Sequence, residues 1–189
     1  MYTVKTRQKY LKVLGFYDGE ITGVEDKATK DAYKALQKKY FVNKEDIDGV
    51  YGPNTEILMV NAYRCQKSKY FDLTEFRCSC KGAYCTGYPV KLNNYLIKDM
   101  DSIREKFGPT TITSGMRCKK KNQLAGGIPN SKHLQGKAAD FNNKYTFSKA
   151  NRTKVKKFCK TLPQYNYTYS IDDRPEFKYM NNTIHIDVK

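Results

Sequence analysis

Ser131-Lys132-His133-Leu134-Gln135-Gly136-Lys137-Ala138-Ala139-Asp140 sets an imidazole and a carboxylate on either side of six residues with a glycine at their centre. Both groups are good ligands for zinc, and Gly136 lets the chain fold back so that His133 and Asp140 face one point. Ala138 and Ala139 keep the returning strand slim. A second segment, Thr183-Ile184-His185-Ile186-Asp187-Val188, alternates polar and apolar residues, so His185 and Asp187 project from one face of a strand. His133 and His185 are the only histidines in the chain. His133, Asp140 and His185 together make three ligands and leave a fourth tetrahedral position open, the arrangement of a catalytic rather than a structural Zn2+.

Around these segments the pattern is mixed. Leu92, Leu96, Met100, Ile103 and Phe107 recur at helical spacing, and Thr110 to Ser114 alternates as a strand. Ala138 to Phe141 forms another short strand. Val155, Phe158, Cys159 and Leu162 mark a helix that Ser148 can cap. The expected fold of this part is α+β with a mostly antiparallel sheet.

The first part of the chain differs and repeats itself. Ile21-Thr22-Gly23-Val24 with Thr29 returns as Ile47-Asp48-Gly49-Val50 with Thr55, an offset of 26 residues. One unit used twice, a glycine turn followed by a threonine that can cap a helix, explains the recurrence. Val4, Tyr10, Leu11 and Leu14 outline a first helix stopped by Gly15, and Ala28, Ala32, Ala35, Leu36 and Tyr40 a second. Pro53 opens a third helix, followed by Ile57, Leu58 and Tyr63. The expected layout is therefore a small three-helix domain over 1–64, a polar linker over 65–70 and the α+β domain over 71–189.

The 189 residues carry 35 Lys and Arg against 19 Asp and Glu, a net charge of +16. Residues 1–64 hold 11 basic and 9 acidic residues, leaving 24 and 10 for the remainder. That field attracts polyanions, among them the phosphate-rich polymers of bacterial walls. No nucleic-acid module accompanies it, so nucleic acid is not an expected partner. No apolar run reaches the 18 residues of a membrane span, and the start of the chain lacks the pattern of a secretory signal. The expectation is a monomer made in the cytoplasm, with no membrane partner. Cys78-x-Cys80-x4-Cys85 does not match paired Cys-x2-Cys zinc sites, so the six cysteines are expected as free or buried thiols. A second metal involving Cys118 is the alternative.

Two resemblances add to this reading. Leu14 to Gly23, followed by Asp48-Gly49-Val50-Tyr51-Gly52-Pro53-Asn54-Thr55, resembles the peptidoglycan-binding domain of wall hydrolases. Glu25-Asp26-Lys27 stands where the second repeat has Tyr51-Gly52-Pro53, which points to a looser first loop. The ten residues from Ser131 to Asp140 match Ser-x-His-x-x-Gly-x-Ala-x-Asp of the zinc D-alanyl-D-alanine carboxypeptidase family, which includes phage L-alanyl-D-glutamate endopeptidases. Ile112 to Cys118 with Asn122 resembles that family's strand and arginine, and Glu75-Phe76-Arg77-Cys78-Ser79-Cys80 the opening segment of one branch.

The resemblance implies His133, Asp140 and His185 as zinc ligands, Arg117 as the cation that holds a substrate carbonyl or carboxylate, and Ser131 and Asn122 at the substrate. It implies a zinc metallopeptidase acting on bacterial peptidoglycan at the cell wall, of the endolysin type. Many members carry Glu or Asp three residues before the last histidine; here that residue is Asn182. Asp187 is the expected general base in its place, with Asp172, Asp173 and Glu176 as alternatives and an orienting role for Asp187 as another. A wall-binding protein without catalytic activity is the rival reading, motivated by Asn182.

Overall fold

A computed structural model describes all residues, 1–189, and is α+β as expected. Helices α1 (Val4–Val13), α2 (Lys27–Tyr40) and α3 (Pro53–Cys65) form the N-terminal part. Helices α4 (Asn94–Phe107), α5 (Lys119–Leu124) and α6 (Lys149–Cys159) accompany a sheet of β1 (Thr110–Ser114), β2 (Ala138–Asn143), β3 (Tyr165–Ser170) and β4 (Ile184–Val188). The strand order is β1-β2-β4-β3 and every pairing is antiparallel.

The two N-terminal loops are built by the same device. Gln8, buried in α1, donates to Val24 O at 3.0 Å and to Thr29 Oγ1 at 3.0 Å, and accepts from Gly23 N at 2.9 Å. Gln37, buried in α2, donates to Val50 O at 3.1 Å and Thr55 Oγ1 at 3.0 Å, and accepts from Gly49 N at 2.8 Å. Gly23 and Gly49 sit at φ of 81° and 75°, where a side chain would strain the turn. The first loop is as fully bonded as the second, against the looser loop expected from its sequence. The threonines serve the loop rather than cap the helix: Asp26 caps α2 by accepting from Thr29 N, and Pro53 opens α3 behind Gly52.

One apolar cluster of 29 buried residues runs from Leu11 to Val188 and crosses from the helices into the sheet. Polar contacts reinforce that junction. Asn61 of α3 donates to Val90 O at 2.9 Å and accepts from Leu92 N at 2.7 Å, while Arg64 donates to Leu92 O at 2.6 Å. The polar stretch after α3 is held too, since Ser68 Oγ donates to Asp101 and Lys69 N bonds the same carboxylate.

Strand β3 was not expected. Its signal is Tyr165, Tyr167 and Tyr169 at alternate positions, a pattern that suits a strand with one polar edge.

Asp99 of α4 is buried with one carboxylate oxygen unpartnered, and burial pushes its pKa up to about 6. A carboxyl whose pKa rises on folding opposes folding fully above that value and ceases to do so below its unfolded pKa of about 3.9. Asp99→Asn is therefore expected to stabilise the protein by about 2 kcal/mol at pH 7. Its advantage over the parent should vanish towards pH 4, as read from paired urea midpoints.

Candidate metal centre

The sheet register aligns the candidate ligands. Asp140 of β2 pairs with His185 of β4, and Ala138 pairs with Asp187. Directly opposed residues share a face, so Asp140 and His185 are neighbours, with Asp187 one step along and Ala138 small enough to leave it room. His133 reaches the same point from the short 3-10 turn Lys132–Gln135. Gly136 ends that turn at φ 66°, and a Cβ there would lie 2.4 Å from Lys91 O. The fold-back expected of Gly136 is present, and glycine is required by both conformation and space.

Every ring nitrogen at the site has an assigned task. His133 Nδ1 lies 2.7 Å from Gly115 O. A carbonyl only accepts, so Nδ1 carries the proton and Nε2 keeps a free lone pair, which lies 3.3 Å from Asp140 Oδ1. His185 Nδ1 lies 2.7 Å from the same Oδ1, and its Nε2 lies 3.2 Å from Asp187 Oδ2. Asp140 Oδ2 accepts from Arg117 Nη2 at 2.6 Å, which leaves Oδ1 for an ion. His133 Nε2, His185 Nδ1 and Asp140 Oδ1 thus converge, and the three residues offer ligand atoms within 4.8 Å of one another. Two imidazoles and one carboxylate suit zinc, with an open fourth position.

Burial raises the energy of every charge here, yet the partners decide the outcome. Burial alone would raise the Asp140 pKa, but His133 and His185 outweigh it and hold the carboxyl well below its usual range. Burial lowers the pKa of His133, which favours the neutral ring an ion needs.

Arg117 arrives through an irregularity in β1. The pairing shifts between Ile112 and Ser114, and the chain beyond it turns inward. Met116 N bonds Phe76 O at 2.9 Å, and Arg117 N bonds His133 O at 3.1 Å. A Cβ on Gly115 would lie 2.4 Å from Phe76 O, so only glycine passes there.

A cleft of about 360 Å³ opens over the centre, walled by His133, His185, Asp187, Arg117 and Ser131. Asn122 is not among its lining residues; it is buried and braces the next turn by donating to Ile128 O at 3.0 Å. Of the carboxylates proposed from sequence, Asp187 alone lines this cleft. Asp172 is engaged by Arg152 at 2.7 and 2.8 Å, Asp173 by Lys156 and Ser170, and Glu176 by Arg174. Asn182 faces Arg152 at 3.5 Å.

Two contributors escaped the sequence reading because both belong to the unexpected β3. Tyr169 pairs with His185 in the sheet and stacks on its ring, centroids 4.6 Å apart. Asn166, at a shift in the β3 register, donates to Asp187 Oδ1 at 2.6 Å.

A family model described as Peptidase M15 matches residues 69–187, and a peptidoglycan binding domain model matches residues 2–59. No curated protein matches the chain.

Proposed function

Because the chain belongs to the Peptidase M15 family and joins it to a peptidoglycan-binding domain, we propose that it is a zinc-dependent endolysin. In this reading it hydrolyses an amide bond in the stem peptide of bacterial wall, of the D-alanyl-D-alanine or L-alanyl-D-glutamate type. The observation that carries the reading is the convergence of His133 Nε2, His185 Nδ1 and Asp140 Oδ1 beneath an open cleft.

Zinc bound by these three would polarise water and the substrate carbonyl. The remaining work falls to side chains. His133 is fixed in one tautomer by Gly115 O, and His185 is steadied by Asp187 at Nε2. Asp187, as the carboxylate lining the cleft beside the ligands, is assigned the water proton and its return to the leaving amine. Arg117, only partly spent on Asp140, offers its remaining N–H groups to a substrate carbonyl or carboxylate. Ser131 lies at the cleft wall within reach of the peptide.

The cleft also carries Lys132 and Arg174 beside aromatic Tyr167, Phe177 and Tyr179. Cations and ring faces together suit a short peptide bearing free carboxylates, as stem peptides do. The N-terminal domain holds the enzyme on peptidoglycan, and the basic peptidase half strengthens retention on anionic wall polymers. No helix is long and apolar enough to cross a membrane. As an endolysin it would be made in the infected cytoplasm and reach the wall through a separately supplied pore.

Purified protein is expected to clear a wall suspension and release new amino termini, and a chelator should stop it. Mass analysis of the released muropeptides identifies the bond. Wall binding without clearing on any wall type would instead mark a binding protein.

A further inference from the structure

Residues 77–91 contain no helix and no strand. A loop of that length usually needs some internal fastening. Its own apolar interior is slight. Cys78 and Cys80, with Cys118 from the start of α5, form a buried cluster separate from the main core, and Cys85 packs against it. The small interior beneath this loop is sulfur.

The four Sγ atoms all lie within 4.8 Å of one another, and Cys80 and Cys85 are 3.4 Å apart. Four thiolates at about 2.3 Å from zinc in a tetrahedron would be separated by about 3.8 Å, so the cage has the right size with slight adjustment. Two backbone N–H groups already point at sulfur: Cys118 N at 3.4 Å from Cys78 Sγ, and Lys121 N at 3.5 Å from Cys118 Sγ. Such donors favour thiolate over thiol.

Charge tells the same way. Arg77, Lys81, Arg117, Lys119, Lys120 and Lys121 flank the cysteines, while neither 77–91 nor 110–124 contains a carboxylate. A divalent ion with four thiolates is a net dianion, which this surround would compensate. Four neutral thiols would leave these cations, Arg117 on Asp140 apart, with no carboxylate in either segment to face.

We propose that Cys78, Cys80, Cys85 and Cys118 bind a second zinc ion, as four thiolates. Loading releases the thiol protons. All four tetrahedral positions are filled by protein, so this ion is structural and takes no substrate. Soft sulfur selects zinc over magnesium or calcium. Sequence spacing alone argued against the site because Cys78-x-Cys80-x4-Cys85 does not match paired Cys-x2-Cys; the turn after β1 brings in Cys118, 33 residues beyond Cys85, as the fourth member.

The position gives the ion a task. Cys118 follows Arg117, the residue that grips Asp140, and Cys78 lies two residues from Phe76, whose carbonyl holds Met116. On its other side the loop meets the N-terminal domain, where Asn43 donates to Gly82 O at 3.1 Å. The same loop walls a groove of about 600 Å³ between Asn43, Asp46 and Asn54 on one side and Arg117 and Lys119 on the other. The ion would set the distance from the wall-binding part to the reacting arginine.

The test uses full-length protein prepared under reducing conditions. Elemental analysis is expected to find about two zinc ions per chain. A His133→Ala/His185→Ala variant should keep about one, and on cobalt substitution should show the intense near-ultraviolet absorption of thiolate–cobalt bonds. Adding Cys78→Ser and Cys118→Ser should abolish that absorption. The histidine variant keeps all cysteines, so the result does not depend on the cysteine variant folding.

Absence of metal and of the thiolate–cobalt band in the histidine variant would overturn the proposal. So would an intact mass showing bridges among these cysteines, or their free alkylation in zinc-loaded native protein. None of these outcomes bears on the His133 centre, whose failure would appear as loss of chelator-sensitive clearing.

Discussion

His185→Ala is expected to abolish wall hydrolysis, with a loss on the order of 10³-fold or more, since in the proposed reading the ion it would help hold supplies several kcal/mol of transition-state stabilisation. The ring is buried between two carboxylates, so its removal does more than delete a ligand. Asp140 Oδ1 loses a partner at 2.7 Å and Asp187 Oδ2 one at 3.2 Å, leaving negative charge buried with less compensation. The metal-free variant should therefore melt below the metal-free parent at acidic pH, where the contrast is greatest. Burial alone would lower the His185 pKa, but its bonds to Asp140 and Asp187 outweigh burial and leave it raised. The imidazolium thus stabilises the metal-free parent fully below the unfolded value of about 6.5, and that contribution fades as pH climbs through the raised folded value. Zinc needs the unprotonated ring, so affinity should rise over the same range; titration calorimetry at several pH values checks it.

Asp187→Asn should lower the rate by about 10²- to 10⁴-fold, the usual worth of a positioned acid–base group. The asparagine keeps the shape and can still accept from Asn166, but it cannot take a proton. Because Asp187 also steadies His185, zinc affinity should weaken by about 10- to 100-fold. Activity measured at saturating zinc separates the two effects. A rate restored to the parent's by excess zinc would leave Asp187 an orienting group only, and the water proton would need another acceptor.

The parts of the protein legible in its sequence are those where local pattern and function coincide. His133, Gly136 and Asp140 lie in one short segment whose conformational demand shows in its glycine, and the alternation around His185 places it on a strand with Asp187. The Ile-x-Gly-Val repeat likewise exposes two turns of one kind. What stayed hidden depends on pairing between distant segments. Asn166 and Tyr169 reach the centre only because β3 joins β4 in one register, and the alternating tyrosines signal a strand without indicating its partner. The buried glutamines were overlooked because a helical glutamine is usually solvated, and only the loops above them reveal their task. The four cysteines are legible only as an alternative, because Cys-x-Cys-x4-Cys does not match paired zinc spacing and Cys118 lies on another element.

Gln8 and Gln37 shape their loops from beneath, through main-chain atoms of Gly23, Val24, Gly49 and Val50. The exposed side chains of Val24 and Val50 take no part in these bonds, which leaves them free to vary. The residues that follow are bound to the frame instead: Asp26 caps α2, Pro53 opens α3 and Tyr51 is buried in the core. A lineage could therefore retarget the module to a new wall chemistry by exchanging loop tips, without re-inventing the helices. The same property makes it a scaffold for laboratory libraries, with two variable sites on a frame that does not read them.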